Sequence, residues 1–396
     1  MTRKIAYIKL HSHPINRSIM HMLAKQFPLL EVYMIDVGEL IRNDRTTVSA
    51  NMFFAFREYG LEILSGKKKI RECFWRTTYI FNRIKVLLST VLSRDDYVFS
   101  FQNQSLFDGS KPGLPHYVYT DHTHLANLGY PSFDKEDLYS RRWINLERTI
   151  YHNATLNFTR SNYAARSIVK DYSCPSNKVV CVYAGTNAIP DSAVDKSKYG
   201  NKNILFVGVD WERKGGPELI KAFGQVLKVY PDAQLTIVGC TPNLNISNIN
   251  IVGCVKQEDV TSYYEKASVF CLPSRLDPSP NVVLEASAHA LPVVATDVGG
   301  TPDRVLNGET GYLVKPGDVG QLAEILIKLI GDAKKCQDMG EKGRHFVLER
   351  YNWEKVGAEI TKRIVASRPL SLEGAIDIRG APIQESMVIR NYEERV

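Results

Sequence analysis

The sequence predicts an α/β protein of two domains, each a parallel sheet covered by helices on both faces. Three observations lead there. The chain has 396 residues, which favours two domains over one. Short apolar runs alternate with amphipathic stretches in both halves, the pattern of strands buried on both faces and joined by short loops. Between 187 and 202 a charged stretch containing Pro190 and Gly200 interrupts that rhythm. The expected division is therefore 1–190 for the first domain, 191–355 for the second, and 356–396 for a final helix and tail.

The elements follow in order. Ile5 to Leu10 reads as a strand, Ile19 to Gln26 as a helix and Glu31 to Asp36 as a strand. The stretch from 52 to 94 is basic, aromatic and helical in its spacing. Tyr97 to Phe101, His116 to Thr120 and Ala154 to Phe158 are further strands. The second half is clearer. Ile204 to Gly208 is a buried-type strand, and a polar loop runs from Val209 to Gly216. Pro217 opens a helix, where its missing N–H costs nothing. Strands at 234–239 and 251–253, a helix at 258–267, a strand at 268–272, a helix at 281–290 and a strand at 293–296 complete the alternation.

Composition narrows the class. With 44% hydrophobic and 23% charged residues the chain is ordinary globular material. No apolar run approaches the roughly 18 residues of a membrane span. The opening MTRKIAYIKLHSHPINRSIM is broken by His, Pro and Asn, unlike a signal peptide. The seven cysteines are odd in number and form no CxxC, so buried reduced thiols and a cytoplasmic location are expected. The net charge of +7 is modest for this length, and no nucleic-acid partner is expected.

Chemistry concentrates in 272–316, LPSRLDPSPNVVLEASAHALPVVATDVGGTPDRVLNGETGYLVKP. Asp277 falls in the loop after a strand, and Glu285 in the second turn of the next helix. Ligands bind open parallel sheets beyond the carboxyl ends of the strands, and a helix N-terminus there favours phosphate. Backbone amides of this loop then meet a diphosphate, Glu285 accepts from ribose hydroxyls, and Asp277 accepts from sugar hydroxyls.

This stretch resembles the family 4 glycosyltransferases, retaining enzymes of the two-domain GT-B fold. The resemblance rests on Pro273-Ser274, Asp277, Pro280, Glu285-Ala286, Pro292 to Thr296, Gly299-Gly300, Pro302-Asp303 and Gly308 to Asp318. Val207-Gly208 followed by Arg213-Lys214-Gly215 is similar to the family's diphosphate-gripping segment, and Lys214 matches its lysine. Weaker similarity covers about 145–360. Three positions depart from the pattern: Asp277 for Glu, Pro278 for Gly and Ala290 for Gly. Pro278 lacks an amide, so Ser279 or Asn281 is the replacement donor.

The resemblance implies two Rossmann-like domains facing across a cleft, with a donor held by Gly208, Arg213, Lys214, Asp277, Ser279, Pro280, Asn281 and Glu285. Arg213 stands in for the family's arginine by adjacency alone. The acceptor enters from the first domain, where residues after strands face the cleft: Gln102, Asp121, His122 and His124. Asp121 and His124 are the candidates to orient the sugar or the acceptor hydroxyl. No metal or cofactor is expected, because two cations already face the leaving diphosphate. The partners implied are a UDP- or GDP-linked sugar and a glycan or lipid-linked acceptor. The basic, aromatic run from Lys67 to Lys85 reads either as a packed helix or as a face resting on the inner side of a membrane. A nucleotide-sugar hydrolase or epimerase, and a non-catalytic binding module, are the alternatives. A nicotinamide enzyme is disfavoured because no Gly-x-Gly-x-x-Gly follows the first strand.

Overall fold

The computed structural model describes residues 3–93, 96–187, 190 and 194–367. Part of the expected linker and the tail beyond 367 lie outside the described residues. Among the described residues no helix is long and apolar enough to cross a membrane.

The first sheet contains β1 (Lys4–Lys9), β2 (Glu31–Asp36), β3 (Tyr97–Asn103), β4 (His116–Thr120), β5 (Leu156–Thr159) and β6 (Val179–Cys181). It is parallel throughout, in the order β2-β1-β3-β4-β5-β6. The second contains β7 (Asn203–Val207), β8 (Gln234–Val238), β9 (Ile249–Gly253), β10 (Val269–Leu272), β11 (Val293–Thr296) and β12 (Gly311–Val314). Its order is β12-β11-β10-β7-β8-β9, again parallel. The second sheet grows outward from β7 through β8 and β9, then restarts on the other side at β10. That reversal opens a crevice between β7 and β10.

Alternation along β1 shows how each face is filled. Ile5 and Tyr7 join one apolar cluster, Ala6 and Ile8 another on the opposite face. The first of these clusters also takes in Val356, Ile360 and Ile364. These belong to the helix Trp353–Ala366, which therefore packs on the first domain although it follows the second in sequence. Its start is fixed by Asn352, whose side chain accepts from the Glu354 amide. Gly357 lets it approach Met22 and Gln26 of the helix Ile15–Gln26, and Lys25 pairs with Glu354. Within the linker, Lys196–Gly200 forms a short 3₁₀ turn whose Tyr199 joins the second core.

The helical stretch expected over 52–94 is three helices, Arg45–Leu64, Ile70–Phe74 and Thr78–Val91. Gly66 takes a positive φ after the first, and Thr77 caps the third through the Ile80 amide. Every described cysteine is free; Cys73, Cys174, Cys271 and Cys336 are buried, but Cys254 is exposed.

Candidate functional site

The loops after β7 and β10 meet at the crevice. Gly208 follows β7, donating its amide to the Val238 carbonyl at 2.9 Å, and a Cβ there would lie 3.2 Å from Lys214 Cγ. Lys214 leaves the end of this loop and pairs directly with the buried Asp277 from the loop after β10. The Ser274 hydroxyl adds a weaker contact to the same carboxylate at 3.4 Å. Arg213 stands at the lip. Its Nε meets Asp210 Oδ2 at 3.2 Å and its Nη1 donates to the Leu276 carbonyl at 3.0 Å.

The two loops touch because Gly215 has φ 77° and no side chain. A Cβ on Gly215 would run into the Pro273 carbonyl. Gly215→Ala is therefore expected to cost roughly 3 kcal/mol or more, from left-handed strain plus overpacking. Thermal unfolding should register a fall of about 6–12 °C. An unchanged melting temperature would mean the loops can move apart.

The helix Asn281–Ala288 begins at Pro280, with no side chain capping its first amides. Those amides and the positive end of the helix stand at the carboxyl edge of the sheet. Asn281 Oδ1 is buried without a hydrogen-bond partner among the described residues. Ser279 is committed elsewhere: its hydroxyl accepts from Arg304 Nη2 at 2.6 Å, and its amide reaches Asp277 Oδ1 only at 3.4 Å. Arg304 was not legible as a site residue. It is fully buried just beyond the Pro302-Asp303 pair and also holds the Gly300 carbonyl at 3.3 Å. Ala290 accepts a φ of 56° at the position where glycine is usual after a helix.

Glu285 lies deeper, accepting from the Tyr264 hydroxyl at 3.0 Å. Burial raises its pKa and the Tyr264 hydrogen bond opposes that shift. Behind it, His289 stacks on Tyr264, and Lys198 donates to the His289 carbonyl at 2.7 Å while Arg344 donates to Ala288 at 2.8 Å. Two cations thus face the carbonyl end of the helix whose other end faces the crevice. Burial lowers the Lys198 pKa to about 8.

The first domain contributes the opposite wall. Asp121, after β4, lies 3.6 Å from Arg160. Burial pushes the Asp121 pKa up, but Arg160, His122 and His13 outweigh it and hold it low. Arg160 also reaches Asn103 and lies over the Tyr119 ring at 4.7 Å. His122 Nε2 sits 3.1 Å from Asn127 Oδ1, with Nδ1 buried and unpartnered. Tyr130, absent from the sequence reading, spans the gap: a Cβ on Gly299 of the second domain would lie 2.7 Å from its hydroxyl. Among the described residues that hydroxyl is buried with no hydrogen-bond partner. The domains are tied alongside by Asp303, which accepts from the Asn162 amide at 2.7 Å and side chain at 2.8 Å.

Two expectations are corrected. Gln102 does not face the cleft. It is fully buried, donates to the Gln104 and Phe107 carbonyls at 2.8 and 2.7 Å, and accepts from the Gly109 amide at 2.9 Å. It holds the loop after β3 in shape. His124 is likewise buried, its Nε2 accepting the Tyr139 amide at 2.8 Å. Burial, with Arg76 nearby, pushes its pKa down to about 3, so it remains a neutral acceptor.

Two doubly wound parallel domains, facing across a crevice that carries this charged pair, define the GT-B architecture. Residues 190–346 match the family model of glycosyl transferases group 1. The match takes in the stretch 272–316 that carries the resemblance and most of the second domain. A 173-residue stretch is 34% identical to the GDP-mannose-dependent monoacylated alpha-(1-6)-phosphatidylinositol monomannoside mannosyltransferase of Corynebacterium glutamicum. That stretch covers 40% of this chain and 45% of the relative, so the comparison spans about half the length of that protein. The whole fold is similar to sucrose-phosphate synthase from Thermosynechococcus elongatus, with a TM-score of 0.68, 18% identity, and coverage of 92% of this chain and 100% of that one. It is also similar to HepE of Anabaena in complex with UDP and glucose, with a TM-score of 0.63, 14% identity, and coverage of 92% and 99%.

Proposed function

We propose that this chain transfers a hexose from a nucleotide sugar to a glycan or lipid-linked acceptor, with retention of configuration and without a metal ion. The observation that carries the reading is the Lys214–Asp277 pair set beside the uncapped start of the helix Asn281–Ala288. A diphosphate entering there meets the helix amides, Lys214 and, at the lip, Arg213. When the sugar–phosphate bond breaks, its electron pair stays on the diphosphate, and these fixed positive groups stabilise the growing charge. Asp277, sharing Lys214, accepts from a sugar hydroxyl. Glu285 accepts from the ribose. The acceptor oxygen forms the new bond, and its proton passes to the departing phosphate oxygen. Asp121 and Tyr130 stand on the wall from which the acceptor comes, and the close approach of the domains excludes competing water.

The donor base divides the relatives. The C. glutamicum protein is named for GDP-mannose, and HepE was solved with UDP. A thermal-shift screen of UDP, GDP and their sugars decides it. A ligand at about 100 times its dissociation constant adds roughly 2.7 kcal/mol to stability. One nucleotide series is expected to raise the melting temperature, with no requirement for magnesium. Silence from every series would sink the proposal. Rapid nucleotide release without acceptor would replace transfer by hydrolysis.

A further inference from the structure

The basic run from Lys67 to Lys85, which the sequence offers as a membrane face, is largely packed. Lys68 is buried, Arg83 pairs with Asp44 at 2.9 Å, Lys85 pairs with Asp108, and Tyr79 stacks on Phe54 with ring centroids 4.7 Å apart. The unpartnered surface lies one helix earlier. The helix Arg45–Leu64 buries a narrow stripe, Thr47, Asn51, Ala55 and Tyr59, each four residues from the last. Asn51 and Tyr59 are anchored at 2.7 Å to the carbonyls of Phe74 and Arg76.

Its other side is apolar and open. Phe53 is 66% exposed, Leu61 83% and Leu64 80%, with Met52 and Phe56 beside them. The helix kinks at Tyr59, whose φ of -133° and ψ of 18° are not helical. Ahead of the kink, at about 100° per residue, Met52, Phe53 and Phe56 fall on one half of the helix, and Leu61 and Leu64 lie exposed beyond it. Arg45 and Arg57 share that half and are exposed. No carboxylate does. Glu58 is turned toward the Thr78 amide at 3.0 Å, and Glu62 toward Lys68 at 3.5 Å. Just past the helix, Lys69 and Arg71 are exposed as well. None of these four cations has an ion-pair partner among the described residues. Lys67 is not counted, since Glu136 holds it at 3.1 Å.

Single exposed apolar residues are commonplace, but several close together with cations beside them mark a contact surface. A second copy of the chain is a poor occupant. A two-fold interface sets the same patch against itself, so the cations Arg45 and Arg57 would face a patch carrying the same charges. A surface of lipid phosphates supplies the missing negative charge and an apolar layer together.

We propose that the outward face of the helix Arg45–Leu64, ahead of its kink, docks on an anionic lipid bilayer, with Met52, Phe53 and Phe56 entering the interface and Arg45 and Arg57 meeting headgroup phosphates. The proposal goes beyond the transferase reading and does not depend on it, because lipid binding is read without any sugar.

The test is co-sedimentation of the full chain with vesicles of phosphatidylcholine, with or without phosphatidylglycerol. Wild type is expected to sediment with the anionic vesicles and to be released by high salt, which screens the cations. The F53S/F56S variant should bind at least about tenfold more weakly, because the apolar contact is lost. Its melting temperature should not fall, since neither ring is buried. Arg57→Gln should reduce binding to the anionic vesicles alone. The proposal is overturned if wild type ignores anionic vesicles, if F53S/F56S binds like wild type, or if Arg57→Gln has no effect. It is also overturned if light scattering shows a wild-type dimer that F53S/F56S converts to monomer.

Discussion

Lys214→Ala is expected to lower kcat/KM for transfer about 10³-fold, the scale on which removal of one fixed charge-stabilising group slows such reactions. The effect has two parts. The developing diphosphate loses its nearest cation, which acts on the transition state more than on bound donor, so kcat carries most of the fall. Asp277 meanwhile loses the partner that makes its burial tolerable. Breaking a buried pair from one side costs about 3 kcal/mol, so the variant should also melt lower. Stability and chemistry can then be separated with the double variant. Lys214→Ala combined with Asp277→Ala removes both charges and should regain much of the lost stability without regaining any activity. If the double variant is as unstable as Lys214→Ala alone, the orphaned carboxylate is not the cause. If Lys214→Ala transfers sugar at the wild-type rate, the lysine does not touch the diphosphate.

The second large effect belongs to Glu285→Gln. An amide offers one neutral acceptor oxygen where the carboxylate offers two charged ones, and hydrogen bonds to a charged group are about twice as strong. Nucleotide affinity should fall roughly 10- to 100-fold, seen as a lost thermal shift. The apo protein should move the other way. Burial raises the Glu285 pKa in the folded chain. A carboxyl with a raised folded-state value favours folding below its unfolded value, and that contribution is lost as pH rises through the folded value. At neutral pH the charged form is therefore a cost, and Glu285→Gln should melt at or above wild type. The advantage should vanish as the pH falls toward the ordinary glutamate range. Donor affinity of the wild type should weaken over that same acidic window, as the carboxylate takes up its proton. A variant that binds nucleotide normally would remove the ribose role.

The fold was most legible where strands are buried on both faces. β4 and β11 are buried along their whole length, and the sequence places both ends of each correctly, as it does for the edge strand β2, whose Val32, Tyr33 and Ile35 give it a strand composition. β6 and β12 were not read. Both are short, half-buried edge strands, and β12 opens on a glycine. The helix Arg141–Asn153 is absent from the sequence reading, and one of its buried positions is Glu147. That carboxyl accepts from Tyr151 at 2.9 Å, from Tyr172 and from the His124 amide at 2.9 Å, a network formed only after folding.

The site divides in the same way. On the second domain the side chains come from two short segments, the loop after β7 with Lys214 and the stretch after β10 with Asp277, Asn281 and Glu285, and each segment carries its own spacing in the sequence. On the first domain the wall is assembled from distant loops. Tyr130 and Arg160 stand in runs that carry no local signal. Gln102 and His124 misled because a polar residue near a strand end was taken to face the ligand. Both instead satisfy backbone groups within their own domain, which buried loops require.

The return of the helix Trp353–Ala366 to the first domain means that the polypeptide crosses between the domains twice, once near 187–202 and once near 350–353. The domains are laced together like two boards joined by a pair of cords. The same lacing changes what counts as the first domain. A fragment cut at residue 190 would keep all six strands of its sheet yet leave the seats of Val356, Ile360 and Ile364 open to water. The unit that folds is therefore discontinuous along the chain, and its last piece is made only after the entire second domain.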